Sequence, residues 1–321
     1  VHGQITGKMQ LTENGPVRAI SIPTGQYHTA VALAPTVIFE AKGGPYAPHA
    51  PDELAPFAPA EGSPESVEYR QAVEFGRKIA DAGFMVITGA GGGIMQAGHE
   101  GAGVERSFGA NIRLPWEQAA NPVIAEDKKL VTFKYFFTRK LIFIRHSDAI
   151  ALFPGGFGTM DEAYETLTLM QTGKSQLMPL VLVDKPGGTY WKTWDKNVRE
   201  HLLRNELISP EDLGLYHITD SVDDAVKHIA RFYRNFHSTR FVRDLLVIRL
   251  KHPPSPTGLD ALNEDFADII AGEPFHVIPP TPDEADEGEH LDLQRIAFGA
   301  LLFLGTRATN TVNSSGKCVN T

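Results

Sequence analysis

Ala149-Ile150-Ala151-Leu152-Phe153-Pro154-Gly155-Gly156-Phe157-Gly158-Thr159-Met160-Asp161-Glu162 runs from an apolar stretch through a cluster of glycines to a carboxylate. The first five residues are the short, continuously apolar kind that makes a buried parallel strand. Beyond the glycines, the spacing predicts an amphipathic helix from Glu162 to Thr172. A strand, a glycine turn and a helix in that order bring bare backbone N–H groups and a positive helix end against an anion. Gly155, Gly156 and Gly158 leave no Cβ to obstruct a phosphate, and Thr159 adds a hydroxyl donor. A pair of glycines would need no more than a tight turn to account for them. Three glycines and a threonine at the C-terminal end of a central strand point to a phosphate site, because ligands of open α/β sheets bind there. Glu162 is expected on the first turn of the helix. There it would either complement the helix dipole, a job Asp161 and Glu165 could share, or face the reacting carbon of whatever the phosphate anchors.

Outward from this stretch, strand and helix signals alternate. Thr36–Phe39 reads as a first core strand, preceded by weak strand signals at Val17–Ile22 and Ala30–Leu33 and followed by a long Pro/Gly/Ala-rich loop, Gly43 to Gly62. Ser63-Pro64-Glu65 starts a helix that Gly83 closes. Strands are expected at Phe84–Thr88, Phe108–Leu114, Val131–Tyr135, Leu180–Val183 and Tyr216–Ile218. Helices are expected from Ile94 to Val104, through Arg139, from Trp191 to Asn205, and from a cap at Ser221 with Asp224 three residues on. The pattern predicts an α/β fold: a doubly wound, mostly parallel sheet with helices on both faces. It divides the chain into an irregular segment 1–35, a catalytic domain 36–235, a C-terminal extension 236–304 and a disordered tail 305–321. Within the extension, Pro253-Pro254-Ser255-Pro256 and the acidic run Pro279 to His290 read as linker or loop, with one helix, Leu259–Ile270, between them.

Composition narrows the partners. With 321 residues and 42% apolar side chains, the chain can bury a sizeable core. A net charge of −9 and a pI near 5.7 argue against nucleic acid or an anionic membrane as the main partner. A single cysteine, Cys318, allows no internal disulfide and no cysteine zinc site, which suits a reducing cytoplasm. No stretch reads as a secretory signal, and no apolar run approaches the roughly 18 residues that span a bilayer.

Two basic residues, Arg139 and Lys140, stand inside the apolar run Phe136-Phe137-Thr138-Arg139-Lys140-Leu141-Ile142-Phe143. Such charges are costly unless they reach water or an anion. Lys140 is open to either; Arg139, fifteen residues before Pro154, is placed to fold back over the same sheet edge and meet an anion. A second glycine cluster, Gly89-Ala90-Gly91-Gly92-Gly93-Ile94-Met95, also joins a strand to a helix. It is not a dinucleotide fingerprint, since Ile94 takes the last glycine position and Arg113 and Leu114 stand where an acid would close the next strand. Gly91, Gly92 and Gly93 are better read as a second wall of one nucleotide pocket. The twelve histidines show no ligand spacing, so no catalytic metal and no cofactor is expected, and His99-Glu100 reads as helix surface.

Pro154–Glu162 resembles the PGGxGTxxE signature of the LONELY GUY (LOG) family, long labelled lysine decarboxylases. Arg139-Lys140 is similar to the pair that precedes the signature, Gly89–Met95 to the first glycine loop, and Gln171-Thr172-Gly173-Lys174 to the segment after the motif helix. The likeness spans about residues 36 to 235. It implies a modified Rossmann fold, a homodimer with sites at or near the subunit interface, and hydrolysis of nucleoside 5′-monophosphates, AMP and cytokinin nucleotides among them, to free base and ribose 5-phosphate. It also implies Arg139 and Glu162 as catalytic residues, Gly156, Gly158 and Thr159 as phosphate cradle, and Met95 in the base pocket. Three departures bear on affinity and base preference: Glu40-Ala41-Lys42 after Phe39 where the family usually has Gly-Ser, Ala90 in place of a common glycine, and the long 43–62 loop. Glu162 would stabilise positive charge on the ribose ring carbon and orient or deprotonate water; Arg139 would bind substrate and hold Glu162 ionised, or assist the departing base. A decarboxylase would need a lysine aldimine and a pyridoxal phosphate site, which nothing beyond the phosphate-type loop suggests. The alternative from another class is a nucleotide-binding protein without turnover, its pocket closed or re-purposed by Glu40 and the long loop.

Overall fold

Leu180, Val181, Leu182 and Val183 are all buried, a pattern that only a strand covered on both faces produces. Leu180 and Leu182 pack with Ile144, Met170, Trp191 and Trp194 on one side, and Val181 and Val183 with Phe75, Ile79, Val222 and Ile229 on the other. The computed structural model describes residues 66–113, 119–288 and 290–299. The expected elements at Val17–Ile22, Ala30–Leu33 and Thr36–Phe39, the helix start at Ser63-Pro64-Glu65, Glu40, the 43–62 loop and the 305–321 tail lie outside them.

From Val67 onward the order is α1 (Val67–Asp81), β1 (Val86–Thr88), α2 (Ile94–Ala102), β2 (Ser107–Ile112), β3 (Leu130–Phe133), α3 (Phe136–Arg145), β4 (Ile150–Leu152), α4 (Phe157–Gln171), β5 (Leu180–Val183), α5 (Tyr190–Asn197), β6 (His217–Thr219) and α6 (Val222–Phe232). β1, β2 and β3 pair in parallel, as do β4, β5 and β6. The fold is therefore α/β, with parallel sheets flanked by helices. α1 lies against α2 through glycines: a Cβ on Gly76 would stand 2.4 Å from the Gly98 carbonyl oxygen, and one on Gly101 2.0 Å from that of Val73. That contact seats α2, whose N-terminus carries the first glycine loop. α6 begins where expected, with the Ser221 hydroxyl accepting from the Asp224 amide.

Three expectations need correction. The helix after the Gly155-Gly156 turn starts at Phe157, not Glu162. Phe157 is 96% exposed and Gly158 has no side chain, so the first turn presents no apolar stripe for periodicity to register. Glu162 consequently sits on the second turn, and α4 has no acid in its first turn; the dipole effect fades within that first turn, so the dipole account of Glu162 loses its ground. The helix at 191–205 divides, α5 giving way to a π-helical stretch, Val198–Leu203.

The third correction concerns the segment after 235. Residues Phe236–Val242 (β7), Leu245–Leu250 (β8), His276–Val277 (β9) and Gln294–Gly299 (β10) form an antiparallel sheet in the order β7-β8-β10-β9. It has its own core of Leu246, Leu250, Phe275, Ile296 and Phe298. Pro256 opens a helix, α7 (Pro256–Asp265), with Ser255 as its cap, and the acidic run folds into α8 (Pro282–Glu287), opened by a capping box between Thr281 and Glu284. Proline at the first helical position and acids near a helix N-terminus are ordinary helix starts. The same residues viewed as composition alone resemble linker.

Candidate functional site

Arg139 is on α3 and Glu162 on α4, and the two helices are tied by Lys140, whose Nζ lies 2.9 Å from Asp161 Oδ2 and 2.7 Å from Glu165 Oε2. Lys140 thus meets an anion, as one of its two readings allowed, but the anion is protein. Its amine is held protonated: burial pushes its pKa down, and the bonds to Glu165 and Asp161 outweigh that and raise it.

The clamp sets Arg139 beside Glu162, with Nη1 3.9 Å from Oε1. Both side chains are sheltered, 14% and 21% exposed. Arg139 donates from Nε to the Ala110 carbonyl on β2 at 2.7 Å, which fixes the guanidinium and leaves its Nη end toward the carboxylate. Burial raises the Glu162 pKa above the ordinary carboxylate value, against the opposing pull of Arg139 and Lys140. Burial likewise lowers that of Arg139.

One turn before Glu162 on the same helix face stands Gly158. Gly156 is the N-cap of α4, and a Cβ on either Gly156 or Gly158 would meet nothing within 4 Å. The amides of Phe157 and Gly158 precede the first intrahelical bonds, which run from Thr159 and Met160 to the Gly156 carbonyl. Gly155 is different: a Cβ there would stand 2.2 Å from Thr159 Oγ1, so this glycine makes room for the threonine. The Tyr190 hydroxyl donates to the Gly155 carbonyl and pins the turn from α5.

The first glycine loop reaches the same place from the other sheet. A Cβ on Gly89 would lie 2.4 Å from Arg139 Nη2 and 2.7 Å from Met95 Sδ. Gly92 and Gly93 face open space, and Gly93, at φ 63°, caps α2. Gly91 is buried, its carbonyl accepting from Asn121 Nδ2 at 3.0 Å. Ala90 holds φ 60°, a left-handed conformation that costs an alanine roughly 1–2 kcal/mol and that glycine would adopt freely.

The reading of His99 as surface is corrected: it is fully buried beneath this loop and bonded to Thr88, Phe108 and Asn121. A sign was present, since His99 stands four residues after Met95 and three before Ala102, the spacing of a buried helix face. Asn121, Tyr190 and the Ala110 carbonyl escaped sequence reasoning, and no local pattern marks them.

The segment carrying this geometry, residues 90–229, matches the family model described as "Possible lysine decarboxylase". Residues 90–229 are thus similar to the LOG family, formerly described as possible lysine decarboxylases. No curated protein matches the chain. Among solved structures, it is similar to the molybdenum cofactor binding protein from the phototrophic bacterium Rippkaea orientalis, with 21% identity and a TM-score of 0.36 over 52% of this chain and 88% of that one. It is also similar to the molybdenum cofactor carrier protein from Chlamydomonas reinhardtii, with 20% identity and a TM-score of 0.36 over 51% of this chain and 86% of that one. Among the described residues, no helix is long and apolar enough to cross a membrane.

Proposed function

We propose that the protein hydrolyses the N-glycosidic bond of a nucleoside 5′-monophosphate of the AMP or cytokinin nucleotide type, releasing the free base and ribose 5-phosphate. The observation that carries this reading is the sheltered approach of Arg139 to Glu162 at 3.9 Å, one helical turn from an N-terminus lined by open glycines. The 5′-phosphate takes the Phe157 and Gly158 amides and the Thr159 hydroxyl, with Gly155 and Gly156 shaping the turn. That grip fixes the sugar so that C1′ meets the carboxylate, which stabilises the positive charge that builds as the base leaves and directs water to the same carbon. Gly92, Gly93 and Met95 wall the base, with Gly91 holding the wall's backbone. Arg139, anchored at Ala110, favours the ionised form of Glu162 and so opposes the upward pull of burial on its pKa. Lys140 serves by clamping α3 to α4. A decarboxylase lysine needs a neutral amine to form an aldimine, and the two carboxylates on Lys140 favour the charged form instead. Chromatography of the products after incubation with a panel of nucleoside monophosphates tests the proposal. Free base and ribose 5-phosphate in equal amounts support it, and binding without product replaces it with a nucleotide-binding role.

The working unit in this proposal is a homodimer. Phe136, Phe137 and Leu141 on α3 and Phe157 at the start of α4 are all more than half exposed, an apolar set beside the site that a second copy would cover. Sedimentation at micromolar concentration should give twice the chain mass.

Two further results are expected. The ionised form of Glu162 is the reactive one and its pKa is raised, chiefly by burial, so kcat/KM should rise with pH through a midpoint above the ordinary glutamate value of 4.5. An acid limb centred at or below that value would contradict the assignment. Gly89→Ala should cost little stability, because the atoms its Cβ meets belong to the side chains of Arg139 and Met95 rather than to backbone, though Arg139 must shift from its seat at the Ala110 carbonyl. It should nonetheless cut turnover by roughly 10²-fold by displacing the guanidinium, measurable as a rate loss with an unchanged thermal transition.

A further inference from the structure

A buried polar chain runs beneath the first glycine loop, outside the groups assigned to the reaction. His99 Nε2 lies 3.0 Å from the Phe108 carbonyl oxygen and 2.9 Å from the Thr88 hydroxyl. A carbonyl only accepts, so Nε2 carries the ring proton and Nδ1 presents a lone pair. Asn121 Nδ2 is 3.2 Å from that lone pair and 3.0 Å from the Gly91 carbonyl oxygen. Both hydrogens of the amide are therefore committed, one to the ring and one to the loop. The Asn121 backbone N–H donates to the Ala90 carbonyl at 2.7 Å, and the Ala90 N–H donates to the Thr88 hydroxyl at 3.0 Å. Two successive loop carbonyls and one loop amide are thus held from below by side chains or backbone of the same cluster.

The loop so held carries Ala90 at φ 60°, a left-handed backbone that is costly for an alanine and that the surrounding contacts must hold in place. His99 and Asn121 are 0% and 3% exposed, and among the described residues their polar atoms find their partners in this network. On its upper side, the loop touches the groups around the reaction through Gly89, against Arg139 and Met95.

We infer that His99 and Asn121 are positioning residues that hold the Gly89–Gly93 turn in the shape that receives the nucleotide. This rests on the nucleotide-hydrolase reading above. Arg139 has its own anchor at the Ala110 carbonyl, so loss of the network moves the binding wall more than the group beside Glu162.

Four variants test the inference: Asn121→Asp keeps the shape but has no N–H for the Gly91 carbonyl, Asn121→Ala removes the group, His99→Leu keeps bulk without either bond, and His99→Gln keeps a donor for Phe108 and an acceptor for Asn121. KM and kcat for base release from AMP, AMP affinity by calorimetry, and amide hydrogen exchange at Gly91–Gly93 are read together. Asn121→Asp, Asn121→Ala and His99→Leu should raise KM and Kd by about tenfold and speed exchange at the loop, with kcat within about threefold of wild type. His99→Gln should stay near wild type in all three. Unchanged KM and exchange in folded Asn121→Asp overturns the inference, as does a loss confined to kcat. If His99→Leu or Asn121→Ala fails to fold, Asn121→Asp and His99→Gln still decide the matter. Wild-type protein that neither binds nor cleaves AMP overturns the functional reading instead, while the exchange measurement still reports whether the pair holds the loop.

Discussion

Glu162→Gln is expected to lower base release from AMP by roughly 10²–10⁴-fold, the usual loss when a positioned acid–base group is neutralised. The replacement is close to isosteric, and the carboxylate's one ion-pair contact among the described residues is the 3.9 Å approach of Arg139, which keeps its bond to the Ala110 carbonyl. α3 and α4 remain clamped through Lys140, Asp161 and Glu165. The thermal transition should therefore stay close to that of the wild type, and AMP should still bind through the glycine turn of α4. Arg139→Ala should produce a comparable loss of turnover, accompanied by weaker AMP binding. Chromatographic assay of free base under saturating AMP, with calorimetry beside it, separates the two effects. Turnover at the wild-type level in either variant would remove the mechanism.

The second large effect lies far from this chemistry. Glu284 is fully buried and takes Arg249 Nε at 2.7 Å and Arg295 Nε at 3.0 Å, while the Thr281 backbone N–H donates to it at 2.9 Å. Arg295 is itself 1% exposed and donates onward to the Leu293 and His290 carbonyls; Arg249 reaches the Ser238 hydroxyl. Glu284→Ala leaves two interior guanidinium groups without their counter-charge and removes the reciprocal half of the α8 capping box. The expected cost is about 3–5 kcal/mol, read from urea unfolding of the intact chain. A change below about 1 kcal/mol would mean that water reaches the pair and screens it. The same group imposes an acid dependence. Burial alone would raise its pKa, but the Thr281 amide and the two arginines prevail and lower it from 4.5 to about 2. A carboxylate whose folded pKa is depressed contributes stability that is complete above its unfolded value and fades as pH falls through its folded one. The loss should thus develop between about pH 4.5 and pH 2, and Glu284→Gln should lack that component.

These two carboxylates show how differently a site and a scaffold register in a linear chain. Glu162 was legible because the signature around it is contiguous: strand, glycines, threonine and acid follow one another within fourteen residues. Arg139 was legible because a charge in an apolar run has few physical excuses. Glu284 was not, since an acid among Pro, Asp and Glu has the composition of a solvated loop, and its partners arrive from β8 and β10. The start of α4 was misplaced for a related reason: the first turn of that helix carries an exposed Phe157 and a glycine, and periodicity records which face is buried rather than where the backbone begins to coil.

Local order along the chain was enough to specify alternating strands and helices and the glycine turn with its open backbone, and to single out Glu162 and Arg139 as candidates. Those features depend on neighbours within a few residues, whose spacing dictates what the backbone and its dipoles do. Tertiary structure alone decided that Lys140 is spent on Asp161 and Glu165, that His99 lies inside under the first glycine loop, and that Asn121 ties that loop down. Each of these is a choice of partner between separate elements, made by close packing and by the cost of leaving a buried polar group unpaired, and neither quantity exists until the elements have come together.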